Sequence, residues 1–198
     1  MEARIKKQTF KDIYTAELAK GAYIHDAYIG FKEDYLVLHC LLRKHSPKSI
    51  YEIGTNIGEG IKVVRAALPN AKIYSLDLDY ETMRLNSKQY PIGADGEDRV
   101  GSAARHIDYT QLRGDSLTFD YRKYPCEAYF CDGEHDLIHA KQETILMLSC
   151  KPKIIIYHDS DMPEVMEGIL QGWNTHPEHG NYELYRVTDT RIAYLLRK

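Results

Sequence analysis

The sequence predicts an α/β fold: a doubly wound, mostly parallel sheet of seven strands that ends in an antiparallel hairpin. Three observations carry that expectation. Short apolar runs alternate with longer stretches whose apolar residues recur at helical spacing, the pattern of strands covered on both faces by helices. The stretch Glu52-Ile-Gly54-Thr-Asn56-Ile-Gly58-Glu-Gly60 breaks the first apolar run into a glycine-rich turn that opens a helix. Two alternating segments flank Thr188-Asp-Thr190 near the end, and one of them must run against the other strands. At 198 residues the chain fits a single domain (1–198), with a helical cap over 1–45 and an α/β core over 49–198.

Each element follows from local signals. Tyr14, Leu18 and Ile24 suggest one short amphipathic helix, with Gly21 and Gly30 as breaks. Residues 33–44 carry Tyr35, Leu36, Leu38, His39, Leu41 and Leu42, dense enough for a buried helix, and Ser46-Pro47 stops it. The first strand is expected over 49–53, a helix over 58–68 ended by Pro69-Asn70, and the second strand over 72–77. A helix over 80–90 stops at Pro91, and an acidic turn follows from Gly93 to Asp98. Short strands are expected over 109–112, 127–131 and 153–157, with a helix over 135–149 between the last two. A helix over 163–173 starts at Pro163 with Asp161 as its N-cap, and the hairpin strands take 182–187 and 191–196.

Composition narrows the class. Net charge is −3 with both signs interspersed, which argues against a nucleic-acid groove. No apolar run approaches the roughly 20 residues that cross a bilayer, and the first residues lack the apolar core of a secretory signal. Cys40, Cys126, Cys131 and Cys150 show neither metal-finger nor Cys-x-x-Cys spacing and read as reduced thiols, as expected of a cytoplasmic protein.

The chemistry is expected beyond the carboxyl ends of the strands, where open parallel sheets bind ligands. Gly54, Asp77, Asp115, Asp132 and His158-Asp159 stand at those five ends. A glycine turn followed by an acid-tipped strand is a nucleoside-binding half-fold, in which Asp77 can accept ribose hydroxyls, with Asp79 as the competing choice. The dinucleotide fingerprint lacks its second glycine here, and Glu59 would bring negative charge towards a pyrophosphate. Glu52, two residues before Gly54, suits a cationic ligand with an amino-acid moiety. Asp132 and His158-Asp159 can converge on one divalent cation, although Asp132 and Asp161 are also well placed to cap helices.

With these anchors the chain resembles the class I S-adenosylmethionine-dependent methyltransferases, and within them the small-molecule O-methyltransferases that include macrocin O-methyltransferase. The resemblance runs from about residue 49 to 159 and rests on Glu52-Ile-Gly-Thr-x-x-Gly58-x-Gly60, Gly114-Asp-Ser116, Asp132-Gly-x-His135 and His158-Asp159. It implies a Rossmann-like methyltransferase fold, S-adenosylmethionine as donor and a small hydroxyl-bearing acceptor. It implies that Glu52, Gly54, Thr55, Asn56 and Gly58 surround the donor, with Asp77 or Asp79 on its ribose and Asp115 and Ser116 near its adenine. It also implies a divalent cation, magnesium or manganese, on Asp132, His158 and Asp159, with Glu134 as general base. His135 and His139 are alternative bases by their chemistry, but their spacing fits one face of a helix and better suits packing. The chain departs from the family at His158, where an aspartate is common, at Lys151-Pro-Lys153, where two glycines are common, and at Leu137, where a tyrosine is common. A catalytically silent nucleoside-binding protein, a nicotinamide-dependent oxidoreductase and a metal-dependent hydrolase are the competing readings.

Overall fold

The computed structural model describes residues 5–23, 32–85 and 98–198. Ile24, Gly30, residues 86–90 of the expected 80–90 helix and the acidic turn up to residue 97 lie outside the described residues. Eight strands are described: β1 (Lys6–Gln8), β2 (Ser49–Ile53), β3 (Lys72–Asp77), β4 (Thr110–Arg113), β5 (Ala128–Cys131), β6 (Ile154–Tyr157), β7 (Tyr182–Val187) and β8 (Ala193–Arg197). They form one sheet in the order β1-β7-β8-β6-β5-β2-β3-β4, in which β8 alone runs antiparallel to its neighbours. The helices are α1 (Phe10–Ile13), α2 (Lys32–His45), α3 (Glu59–Ala67), α4 (Tyr80–Leu85), α5 (Leu137–Ser149) and α6 (Pro163–Thr175).

The sheet has one strand more than the seven expected. Lys6–Gln8 is polar, so hydropathy gives no sign of it; pairing along β7 makes it a strand, with Lys6 Nζ 2.7 Å from Glu183 Oε2. The helix expected around Tyr14 starts earlier, because Asp12 turns back to accept the amide and hydroxyl of Thr9. Two caps also differ. Asp136, not a residue before His135, caps α5 by accepting the His139 amide at 2.8 Å, and α6 starts from Met162 without a side-chain cap, so Asp161 does not cap it. Proline at the first position of α6 tolerates this, since its missing N–H needs no partner.

Strand alternation divides the core in two. Ile50, Ile73, Phe130, Ile154 and Ile156 pack with α1, α2 and α3 on one face. Tyr51, Ile53, Tyr129, Ile155 and Tyr157 pack with α5 and α6 on the other. Period-two alternation therefore puts Glu52 on the α3 face.

Register then aligns the strand ends. Ile53 pairs with both Leu76 and Cys131, and the ladder runs one residue further. Gly54 N donates to Leu76 O, Gly114 N to Asp77 O, Asp132 N to Ile53 O and His158 N to Cys131 O, each at 2.9 Å. Backbone hydrogen bonding thus sets Gly54, Asp77, Gly114, Asp132 and His158 in one row at the edge of the sheet.

Candidate active site

The row opens into a cavity of about 490 Å³. One half is built on the glycine turn. Gly54 has φ +90°, and a Cβ there would lie 2.1 Å from the carbonyl oxygen of Asp132, so β2 and β5 meet backbone to backbone at their ends. Asn56 follows at φ 47° and Gly58 caps α3 at φ 97°. Asp77 holds this turn: its two carboxylate oxygens accept the amides of Asn56 and Leu78, each at 2.8 Å. Burial raises the Asp77 pKa, and those two amides pull the other way.

Glu52 lies beneath α3. A Cβ on Gly60 would fall 2.1 Å from Glu52 Oε1, so only glycine leaves the carboxyl room against the helix. The Ser75 hydroxyl donates to Glu52, Thr55 Oγ1 lies 2.7 Å from Ser75 Oγ, and the Gln111 amide donates to Thr55 at 2.9 Å. Burial pushes the Glu52 pKa up to about 8, the Ser75 bond counters it, and the charges of Asp132 and Asp77 add to it. Asp115 and Ser116, after β4, line the same cavity. Asp79 is exposed, caps α4 through the Thr82 amide at 2.9 Å, and is not part of the cavity wall.

The other half gathers Asp132, His158 and Asp159, whose ligand atoms fall within 4.8 Å of one another. His158 Nδ1 is 2.8 Å from Asp159 Oδ2 and 3.2 Å from Asp132 Oδ1, while its Nε2 is 3.2 Å from Asp34 Oδ2. His135 Nε2 is 3.0 Å from Asp159 Oδ2, and Arg191 Nη1 is 3.3 Å from Asp159 Oδ1. Ser160 takes part from behind: its amide and hydroxyl donate to Arg191 O and tie the β7–β8 turn to the end of β6.

Electrostatics follow from these contacts. Burial alone would lower the His158 pKa, but Asp132, Asp159 and Asp34 hold it up at about 12. Asp132 and Asp159 push His135 up to about 10. Burial works against ionised Asp159 and Asp132, yet their histidine partners keep both pKa values below the ordinary carboxylate range. Three carboxylates here meet three cationic side chains.

Sequence reasoning placed Glu52, Gly54, Thr55, Asn56, Asp77, Asp115, Ser116, Asp132, Glu134, His158 and Asp159 at the site, and all of them line the cavity. Gly58 adjoins it as the α3 cap. Three further lining or supporting residues escaped it: Asp34, Tyr35 and Arg191. Asp34 had a signal. It stands one and two turns before Leu38 and Leu41, on the buried stripe of α2, where an acid is out of place.

No family model and no curated protein matches the chain. Solved structures do. The S-adenosylhomocysteine-bound methyltransferase PaMTH1 of Podospora anserina superposes with a TM-score of 0.60 at 11% identity, over 95% of this chain and 95% of that one. The O-methyltransferase TomG of Streptomyces achromogenes, solved with S-adenosylmethionine and involved in tomaymycin synthesis, superposes at 0.56 and 16% identity, over 93% and 91% of the two chains. This chain has the Rossmann-like methyltransferase fold. A third match, MycE of the mycinamycin pathway in complex with magnesium, S-adenosylhomocysteine and mycinamycin VI, gives 0.53 at 14% identity, over 79% of this chain and 47% of that one.

On this methyltransferase fold the residues present fit both groups that the resemblance implies. The cavity lined by Gly54, Thr55, Asn56 and Asp77, with the buried Glu52 carboxyl in its wall, suits a nucleoside with a cationic tail. Two carboxylates and one imidazole are a sound donor set for a divalent cation, and the second imidazole nitrogen already has its partner in Asp34. Among the described residues, no helix is long and apolar enough to cross a membrane.

Proposed function

We propose that the chain is an S-adenosylmethionine-dependent methyltransferase acting on a hydroxyl of a small acceptor, with a divalent cation at Asp132, His158 and Asp159. One observation carries this reading: the glycine turn, the acid-tipped strand and the Asp/His/Asp cluster share one cavity on a methyltransferase fold. The donor brings an electrophilic methyl group on a sulfonium, and the cation, when bound, favours the deprotonated form of the acceptor hydroxyl.

The chain supplies the placement. Glu52, Gly54, Thr55 and Asn56 receive the amino-acid end of the donor, Asp77 its ribose, and Asp115 with Ser116 its base. Asp77 can do this while holding the turn, because each carboxylate oxygen has a second lone pair beyond the amide bonds. Alignment of acceptor oxygen and methyl group is worth up to roughly 7–11 kcal/mol of barrier. Glu134 is the proposed general base. His135 is the second candidate: its 3.0 Å contact with Asp159 puts it beside the cation position but also holds its proton, so it can act as a base only once Asp159 turns to the cation.

Calorimetric titration with S-adenosylmethionine, S-adenosylhomocysteine and NAD tests the donor reading. Binding of the first two and not the third is expected, and a protein that binds neither sulfur nucleoside is not a methyltransferase. Transfer of isotopically labelled methyl to a panel of sugars, phenols and alcohols then identifies the acceptor, with Glu134→Gln and His135→Asn deciding the base.

A further inference from the structure

We propose that Asp34 is a positioning residue for the cation site: by accepting the Nε2–H of His158 it turns Nδ1 towards Asp132 and Asp159, and the site therefore favours manganese, iron(II) or zinc over magnesium. This rests on the cation reading above. The geometry is specific. Asp34 and His158 are both buried, with side chains 5% and 9% exposed, and Asp34 Oδ2 lies 3.2 Å from His158 Nε2. The other oxygen, Oδ1, accepts the backbone amide of Arg191 at 2.9 Å, so the carboxylate is itself held from the β7–β8 turn. Tyr35, the next residue of α2, lies nearly parallel to the imidazole, with ring centroids 6.5 Å apart and planes 14° apart. One helical turn thus holds the ring by edge and by face, 124 residues away in sequence.

The consequence is chemical. A histidine whose outer nitrogen gives its proton to a carboxylate offers the inner lone pair to a metal and is the more basic for it. Imidazole is a good ligand for manganese, iron and zinc, whereas magnesium prefers carboxylate and water oxygens in a strict octahedron. Asparagine at position 34 cannot reproduce the arrangement. It has one acceptor oxygen where two donors, His158 Nε2–H and Arg191 N–H, need one each.

The test is calorimetric titration of manganese, zinc and magnesium into metal-free wild type, Asp34→Asn, Asp34→Ala and Asp132→Asn, with S-adenosylmethionine titrated in parallel. The wild type should bind manganese and zinc more tightly than magnesium. The Asp34 variants should lose about 10- to 100-fold in manganese affinity with donor affinity held within about twofold. Nitrogen-15 NMR of the zinc-loaded wild type should show His158 as the Nε2–H tautomer, a readout that needs no variant to fold. Equal manganese affinity in wild type and Asp34 variants overturns the proposal, and so does an Nδ1–H tautomer or a wild type that prefers magnesium; the cation reading survives all three. A wild type that binds no cation, or an Asp132→Asn variant that binds as well as wild type, overturns both.

Discussion

Replacing Glu52 with glutamine removes a carboxyl that is 1% exposed and lies at the base of the cavity beneath α3. Burial raises its pKa from an ordinary 4.5 to about 8, against the Ser75 hydroxyl bond and with the help of the Asp132 and Asp77 charges. Between those two values the native state keeps a proton that the unfolded chain has released. Native protein then binds more protons than unfolded, so stability falls as pH rises through the window; it is whole below 4.5 and lost above about 8. At about 1.4 kcal/mol per pH unit, the window spans at most about 5 kcal/mol. Glutamine is neutral throughout, and its carbonyl can still accept from Ser75. Urea denaturation at about pH 5 and about pH 8.5, followed by circular dichroism, should show the variant gaining on wild type by a few kcal/mol between the two. A stability difference that does not change with pH refutes the reasoning. The same proton bears on function. A cationic donor beside Glu52 should displace it, so donor binding near neutrality should release a proton from wild type and none from the variant, read calorimetrically in buffers of differing ionisation enthalpy.

Other perturbations separate structural from ligand roles. Asp77→Asn sets an amide NH2 against the Asn56 or Leu78 N–H and should lower stability; loss of one charge-assisted bond from the proposed ribose hydroxyl, about 1.5–3 kcal/mol, should weaken donor binding about 10- to 150-fold by calorimetry. Asp79→Ala should lower stability by about 1 kcal/mol through the lost α4 cap, measured in urea, and leave donor affinity unchanged. Gly54→Ala forces a Cβ to 2.1 Å from the Asp132 carbonyl at φ +90°; strain and overpacking together predict a loss of about 2–6 kcal/mol, seen as a lower denaturation midpoint. A chelator should abolish turnover of the identified acceptor and added manganese should restore it; turnover unaffected by the chelator removes the cation from the reaction.

The fold was legible where burial and sequence period agree. β2, β3, β5 and β6 are mostly apolar runs because helices cover both faces, and where each run ends could be read from the sequence. β1 was not legible, because Lys6, Lys7 and Gln8 become a strand only by pairing with Tyr185, Arg186 and Val187, far along the chain. The N-caps of α5 and α6 were not legible for a related reason, although α6 starts at Pro163 as expected. Asp132 and Asp161 each carry the chemistry of a cap, and local sequence does not say which acid a tertiary site will claim; in the structure Asp132 faces His158 and leaves the cap to Asp136.

The site divides along the same line. Residues at strand ends could be read in advance because topology alone sends them to one edge, and ladder bonds extended by one residue make that edge a straight row. What lies across the cavity from that row could not. Asp34 comes from the cap helix and Arg191 from the hairpin turn, and both reach the cluster only after the sheet has closed with β8 beside β6. Their contribution is charge: without Arg191, His135 and His158, the carboxylates of Asp34, Asp132 and Asp159 would crowd one half-buried corner with unbalanced negative charge. Charge balance within the cluster has a cost for a cation, which must displace the Nδ1 proton of His158 and loosen the hold of His135 and Arg191 on Asp159. Affinity for a cation should therefore rise with pH as His158 and His135 give up protons, and His135, once freed from Asp159, is left beside the cation position.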